Sequence, residues 1–247
     1  TSRKAGEEEA WKWTSDGKNG YSIDKSVRKS TGTDIVLHLN DEGKEFVNRW
    51  EIQNIIKKYS NHIPFPNFLH YEENKYDKKG EVKGKEKKTD QVNAASAFWK
   101  KPKSELKKKD YNEFYKSISH DHEDPMMYIH TQAEGTLDYT TLFYIPKTAP
   151  VDLFQVDYKP GVKLYVNRVF ITEDDKELMP SYLRFVSGVI DSEDLPLNVS
   201  REILQQNRIL AKIKSNSIKK ILSELTALTK KKDKYLEFYE QYGKLLK

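Results

Sequence analysis

The sequence predicts an α/β fold, with a three-strand antiparallel ribbon first, an α/β sandwich-like domain next and connecting helices last. Three observations predict it. Short stretches of alternating or continuous apolar residues, bounded by Gly, Pro, Asn and Asp, interleave with segments whose apolar residues recur at threes and fours. After Ser200 only the helical period remains. The chain has 247 residues, 36% hydrophobic and 33% charged, enough to bury a real core beneath a large solvated surface. The expected divisions are residues 1–40, 41–206 and 207–247.

The ribbon is read from Ala10–Thr14 with its two tryptophans, from Tyr21–Asp24 after an Asp16-Gly17 turn, and from the alternation in Asp34–Leu39. Such a ribbon is marginal alone in water. Its abrupt start, and the lack of a helix stop signal after Leu246, predict flanking sequence at both ends. From Glu45 to Tyr59 the residues Phe46, Val47, Trp50, Ile52, Ile55, Ile56 and Tyr59 approximate a helical stripe, with Lys57 and Lys58 near its end suiting the helix dipole. Pro64 and Pro66 end it, and a strand is expected over Phe65–Tyr71. Glu72–Gln91 is polar and lysine-rich and predicts a loop, with a hairpin as the alternative.

Asp110–Ser119 predicts a short helix, opened by Asp110 and Glu113 as a capping box and faced by Tyr111, Phe114, Tyr115 and Ile118. Strands are expected at Met127–Gln132, Leu137–Ile145 and Val162–Ile171, the first two joined by a turn at Ala133-Glu134-Gly135-Thr136. Pro180 opens a short helix to Phe185, and Val186–Ile190 resumes a strand. Leu210, Ile213, Ser217, Ile221, Leu225 and Leu228 then mark one long amphipathic helix, interrupted near Asn207, and a second runs from about Asp233 to Leu246.

Composition excludes several functions. Without cysteine there are no disulfides or thiolate metal sites, which fits a reducing compartment. No stretch approaches the roughly 18 apolar residues of a membrane span. The opening TSRKAGEEEAW carries no secretory pattern. The net charge of +5 raises nucleic acid as a partner, but arginine supplies only seven of the 43 basic residues, and the lysine runs are broken by acids as on a solvated face.

Self-contained chemistry is not evident. There is no Gly-rich phosphate loop. His120-Asp121-His122 has two imidazoles but no third ligand nearby, which points to surface polar residues. Ser60 and His62 lack the third member of a hydrolase triad. The informative stretch is Asp191–Asn207, DSEDLPLNVSREILQQN. Ser200 can cap a helix that Arg201 opens, and Arg201 and Gln205 then stand one turn apart. Such a pair can present a permanent cation and an amide to one ligand, and the planar arginine fork suits phosphoryl oxygens. Spacing alone favours the plainer reading, an exposed arginine opening an ordinary helix.

SEDLPLNVSREILQQN resembles the catalytic-loop signature of the heat-shock protein 90 chaperone family, in its bacterial HtpG type. TGTDIVLHL (Thr31–Leu39), KYSNHIPFP (Lys58–Pro66), AFWKKPKSE (Ala97–Glu105), EFYKSISHD (Glu113–Asp121), LFYIPKTAPVDLF (Leu142–Phe154) and VKLYVNRVFITED (Val162–Asp174) agree with it in order and spacing, over nearly the whole chain. The resemblance implies that residues 1–40 are the final strands of an N-terminal ATP-binding domain, that 41–206 form the large part of the middle domain, and that 207–247 are connecting helices. It implies that Arg201 reaches the γ-phosphate of ATP, with Gln205 as its partner and Asn198 in the same loop. Phe170 would support that loop, Thr33 would line the adenine pocket, and Trp99 would contact client protein, with a buried aromatic as the alternative.

Asn167 departs from the basic residue many members carry there. The short join between Leu39 and Glu45, lacking a long acidic linker, favours a bacterial member. ATP with Mg²⁺, client proteins, co-chaperones and a homodimer are implied for a whole protein in the cytoplasm, while this chain alone is expected to be inactive as an ATPase. The rival readings are a non-catalytic protein-interaction module and a lysine-rich nucleic-acid binder.

Overall fold

The computed structural model describes residues 1–76, 80–173, 178–197 and 207–246. The chain divides into two compact units, Thr1–Asn48 and Arg49–Lys247.

In the first unit β1 (Ser2–Arg3), β2 (Ala10–Ser15), β3 (Tyr21–Ser26) and β4 (Gly32–Thr33) form a sheet in the order β3-β2-β1-β4. The expected β2–β3 pairing is present, from Ala10 opposite Ser26 to Ser15 opposite Tyr21. The third strand is not where alternation put it. Pairing falls on Gly32 and Thr33, against a two-residue β1 that polar sequence did not announce, and ends with the Asp34 amide donating to the Thr1 carbonyl at 2.8 Å. Beyond Asp34 the side chains of Ile35, Val36 and Leu37 are exposed, and among the described residues they pair with no strand. Alternation alone does not make a strand without a neighbouring backbone to pair with.

The second unit opens with a 12-residue helix, α1 (Arg49–Ser60), preceded in the first unit by a 3₁₀ turn at Lys44–Val47. The expected strand begins three residues late, as β5 (Phe68–Tyr76), and pairs with β6 (Val82–Gln91). The loop reading of Glu72–Gln91 is therefore corrected to the hairpin alternative. Polar side chains hold it. Lys88 pairs with Glu73, Lys85 lies 3.4 Å from Glu72, and the Tyr71 hydroxyl donates to Asp90 at 2.6 Å. Cross-strand pairs of this kind replace the apolar face that the loop reading found missing.

A five-stranded mixed sheet forms the centre, in the order β10-β9-β11-β8-β7. Its strands are β7 (Met127–Ala133), β8 (Tyr139–Ile145), β9 (Val162–Val166), β10 (Val169–Thr172) and β11 (Ser187–Ser192). Only the β9–β11 pair is parallel. Because successive side chains alternate, each strand feeds two cores. Leu142, Tyr144, Tyr165 and Val189 join Trp99 and the Tyr111 and Tyr115 face of α2 (Lys108–Ser119). Phe143, Ile145, Leu164, Val166 and Ile190 join α3 (Arg208–Leu228) and α4 (Lys232–Tyr242). All six residues of the predicted α3 stripe are buried, and so is every residue of β8. The α/β sandwich reading holds, with the sheet between two helical layers.

Two local details differ from expectation. Val162–Ile171 is not one strand but the hairpin β9–β10, turned by Asn167 and Arg168 at φ of 50° and 67°. A two-residue turn with both φ positive matches the twist of its strands, and asparagine tolerates that conformation well. Asp110 does not cap α2 but sits in its first turn, its carboxylate accepting from the Lys107 amide at 2.7 Å.

Gly188, at the centre of the sheet, has φ +135°, and a Cβ there would lie 2.0 Å from the Leu142 carbonyl oxygen. We expect Gly188→Ala to lose more than about 2 kcal/mol, from overpacking and backbone strain together. Gly135→Ala, at φ +124° with open space around it, is expected to lose less. Chemical denaturation of the two variants checks the order.

Candidate functional site

The stretch that carries Asn198, Arg201 and Gln205 leaves the sheet at the end of β11 and rejoins described structure at Asn207. Those three residues lie outside the described residues, but both ends of the stretch are fixed. At the far end the Asn207 side chain accepts from the amides of Ile209 and Leu210 at 2.9 and 3.2 Å, capping α3. The predicted interruption near Asn207 is thus a helix start. At the near end the Glu193 amide donates to the Asp138 carbonyl at 3.1 Å, the Asp138 amide donates to the Asp194 carboxylate at 2.6 Å, and Leu195 is buried.

Beneath this exit lies Asp191, with no solvent exposure. The Trp99 indole N–H donates to its Oδ2 at 2.7 Å, and the Arg168 amide donates to its Oδ1 at 3.1 Å. Lys100 Nζ stands 3.9 Å from Oδ2 and 3.1 Å from Glu193 Oε1, spanning the residues on either side of Ser192. One carboxyl group therefore ties β11 to the 3₁₀ turn Phe98–Lys100 and to the β9–β10 turn. Sequence reasoning passed over it. The available signal was period two: Val189 and Asp191 share a sheet face, which places an acid on a buried side.

Trp99 is also fully buried, among His62 at 4.7 Å and Tyr165 at 4.8 Å between ring centres. Its ring has no surface to offer, so the expected direct client contact gives way to the buried-aromatic alternative in this arrangement. Phe170 is packed edge-on against Tyr165 and Tyr59 at 5.7 and 5.9 Å. Beside it a cleft of about 700 Å³ is lined by Lys57, Lys58, His62, Lys163, Tyr165 and Phe170, among others. Thr33, in the first unit, is exposed, with its hydroxyl 2.8 Å from that of Ser2. It lines a cleft of about 380 Å³ together with Ser2, Trp11 and Trp13, among others.

The remaining candidates resolve simply. Asp121 accepts from the Tyr115 hydroxyl at 2.7 Å, and among the described residues no group of three metal-ligating side chains exists. His62 Nδ1 lies 3.0 Å from the Ser96 carbonyl oxygen, and that partner requires it to donate. His130 bridges the Trp99 carbonyl at 2.9 Å and the Tyr111 hydroxyl at 2.8 Å. Burial pushes the pKa of both histidines down. Among the described residues no helix is long and apolar enough to cross a membrane.

Residues 69–247 match the family model described as Hsp90 protein. The chain is 62% identical over 248 residues to a Chaperone protein HtpG of Helicobacter hepaticus, covering 100% of this chain and 40% of that protein. It is 60% identical to that of Helicobacter pylori strain 26695 (99% of this chain, 40% of the relative) and 57% identical to that of Treponema denticola (100% and 40%). The chain thus spans about 40% of the length of the curated relatives it matches.

The two half-buried histidines, His62 and His130, carry a pH signature. Their folded pKa values lie below the unfolded ones, so the unfolded chain binds more protons as pH falls through the ordinary histidine range. Stability is therefore full above that range and declines below it. The thermal midpoint is expected to fall between pH 7.5 and 5.5, and to fall less in His130→Gln. An equal fall in both proteins would remove His130 as a source.

Proposed function

The chain belongs to the heat-shock protein 90 family, and from that premise we propose that it is the middle segment of an ATP-dependent chaperone, supplying an arginine to ATP hydrolysis by a neighbouring N-terminal domain. ATP is the substrate of the whole protein, held with Mg²⁺ mostly by residues outside this chain, with Thr33 contributing to its pocket. Arg201 would offset charge on the γ-phosphoryl group, since its guanidinium stays charged and its fork fits the oxygens. Gln205 and Asn198 would hold the loop closed around it, and Phe170 would support the loop from β10.

The observation that carries this reading is the anchoring of the loop's two ends, by the hydrogen bonds around Asp191 and Asp194 and by the Asn207 cap. A cation aimed at a transferring phosphoryl group must be held from rigid elements, because catalysis of that reaction is chiefly positioning and electrostatics. Client protein fits the apolar side chains of the segment after β8, where Val151, Phe154 and Val156 are exposed around a buried Leu153. Trp99 would serve clients only through the core it stabilises. Co-chaperones, a homodimer and a cytoplasmic setting go with the same reading.

The test uses a full-length protein containing this chain. Arg201→Ala is expected to lower ATP turnover by about 10²-fold or more, with ATP affinity changed less than about threefold. Arg201→Lys, which keeps charge but loses the fork, is expected to recover little. Unchanged turnover in Arg201→Ala would favour the non-catalytic interaction module instead.

A further inference from the structure

We propose that Asp191 is a positioning residue for the loop that carries Arg201, an inference that rests on the catalytic reading of that arginine. Asp191 is the penultimate residue of β11, which is laddered on both sides, and stands opposite Thr140 of β8 and Tyr165 of β9. The backbone there is already fixed by the sheet, so the side chain is not needed to hold the strand.

Its chemistry is costly for a mere filler. A buried carboxyl group gives up hydration, and well-packed apolar residues often replace buried charged groups with neutral or favourable effect on stability. A group retained solely for stability here would be apolar, like Val189 on the same face. What a carboxyl group supplies is two acceptor oxygens, and both are used by donors from distant segments: the Trp99 indole, 92 residues away, and the Arg168 amide, 23 residues away. An amide could accept only one of these bonds and would turn an N–H toward the other donor.

The directions these bonds fix are the relevant ones. The Asn167 amide donates to the Ser192 carbonyl at 3.1 Å, one residue beyond Asp191, so the β9–β10 turn grips the chain where it leaves the sheet. That turn leads into β10 and Phe170. Lys100, only 17% exposed, ties Asp191 and Glu193 together from the opposite side. The strand itself stays in its ladder, but a change at Asp191 releases the Arg168 amide and Lys100, and with them the β9–β10 turn that seats Phe170 and the hold on Glu193 just beyond the strand. Misplacement by about 1 Å costs on the order of 10²-fold in reactions governed by positioning.

The test compares Asp191→Asn, Arg201→Ala and the double variant in a full-length protein, measuring turnover, nucleotide affinity and thermal midpoint. Asp191→Asn preserves volume and is expected to lower turnover about 10- to 100-fold with affinity changed less than about threefold. The double variant is expected to be no slower than Arg201→Ala alone, because a misaimed arginine and a missing one fail in the same step. A lowered thermal midpoint with turnover unchanged per folded molecule would mark Asp191 as structural and overturn the proposal. So would losses that multiply in the double variant. If Arg201→Ala itself leaves turnover unchanged, the catalytic reading falls and this inference falls with it. Should Asp191→Asn not fold, Lys100→Met carries the test from the rim of the network. It is expected to lower turnover about 3- to 10-fold without multiplying the Arg201→Ala loss, and unchanged turnover overturns the proposal.

Discussion

Burying a carboxyl group in a protein core is unfavourable unless each oxygen finds a donor, and at Asp191 that condition organises three separate parts of the chain. The 3₁₀ turn at Phe98–Lys100 has to present an indole N–H from a ring with no exposure. The β9–β10 turn has to bend through two positive φ values so that the Arg168 amide faces inward. The strand β11 has to end where Lys100 can reach both Asp191 and Glu193. Hydrogen bonds to a charged acceptor are worth about 1.5–3 kcal/mol each, and an unmade one costs a comparable amount, so the network is held as a unit.

The sheet makes this network possible by separating two jobs. One face, through Phe143, Leu164 and Ile190, is sealed by α3 and α4 with apolar packing. The other carries the aromatic cluster of Trp99, Tyr111, Tyr115, Tyr144, Tyr165 and Phe170, with polar groups of tyrosine and histidine reaching specific partners. An apolar face tolerates small shifts, whereas hydrogen-bonded aromatic groups have few arrangements that satisfy every polar atom. The stretch that carries Arg201 leaves from the end of β11, which sends Val189 into one layer and Ile190 into the other.

Much of the fold was legible in sequence because periodicity reports burial directly. The stripe from Leu210 to Leu228 became the buried face of α3, and the apolar run of β8 became a buried interior strand. What escaped depended on partners distant in sequence. Nothing local in the lysine-rich Glu72–Gln91 stretch showed that its charges would pair across a hairpin, and nothing in TSR announced a strand. Asn167 was read as a departure from a family pattern, but its positive φ gives it a backbone role at the turn. For the site, motif resemblance led to the loop but not to its support. Asp191 opens the very stretch that was singled out, yet its role is set by Trp99 and Arg168, which no spacing rule connects to it.

Locking of the Trp99 indole to Asp191 is tested most directly by solvent exchange of the tryptophan indole protons. Trp11 and Trp13 are 41% and 61% exposed, whereas Trp99 is 0% exposed. The indole protons of Trp11 and Trp13 are expected to exchange quickly while that of Trp99 exchanges orders of magnitude more slowly, and Asp191→Asn is expected to remove much of that protection. Comparable exchange at all three indoles, or protection of Trp99 undiminished by Asp191→Asn, would contradict it.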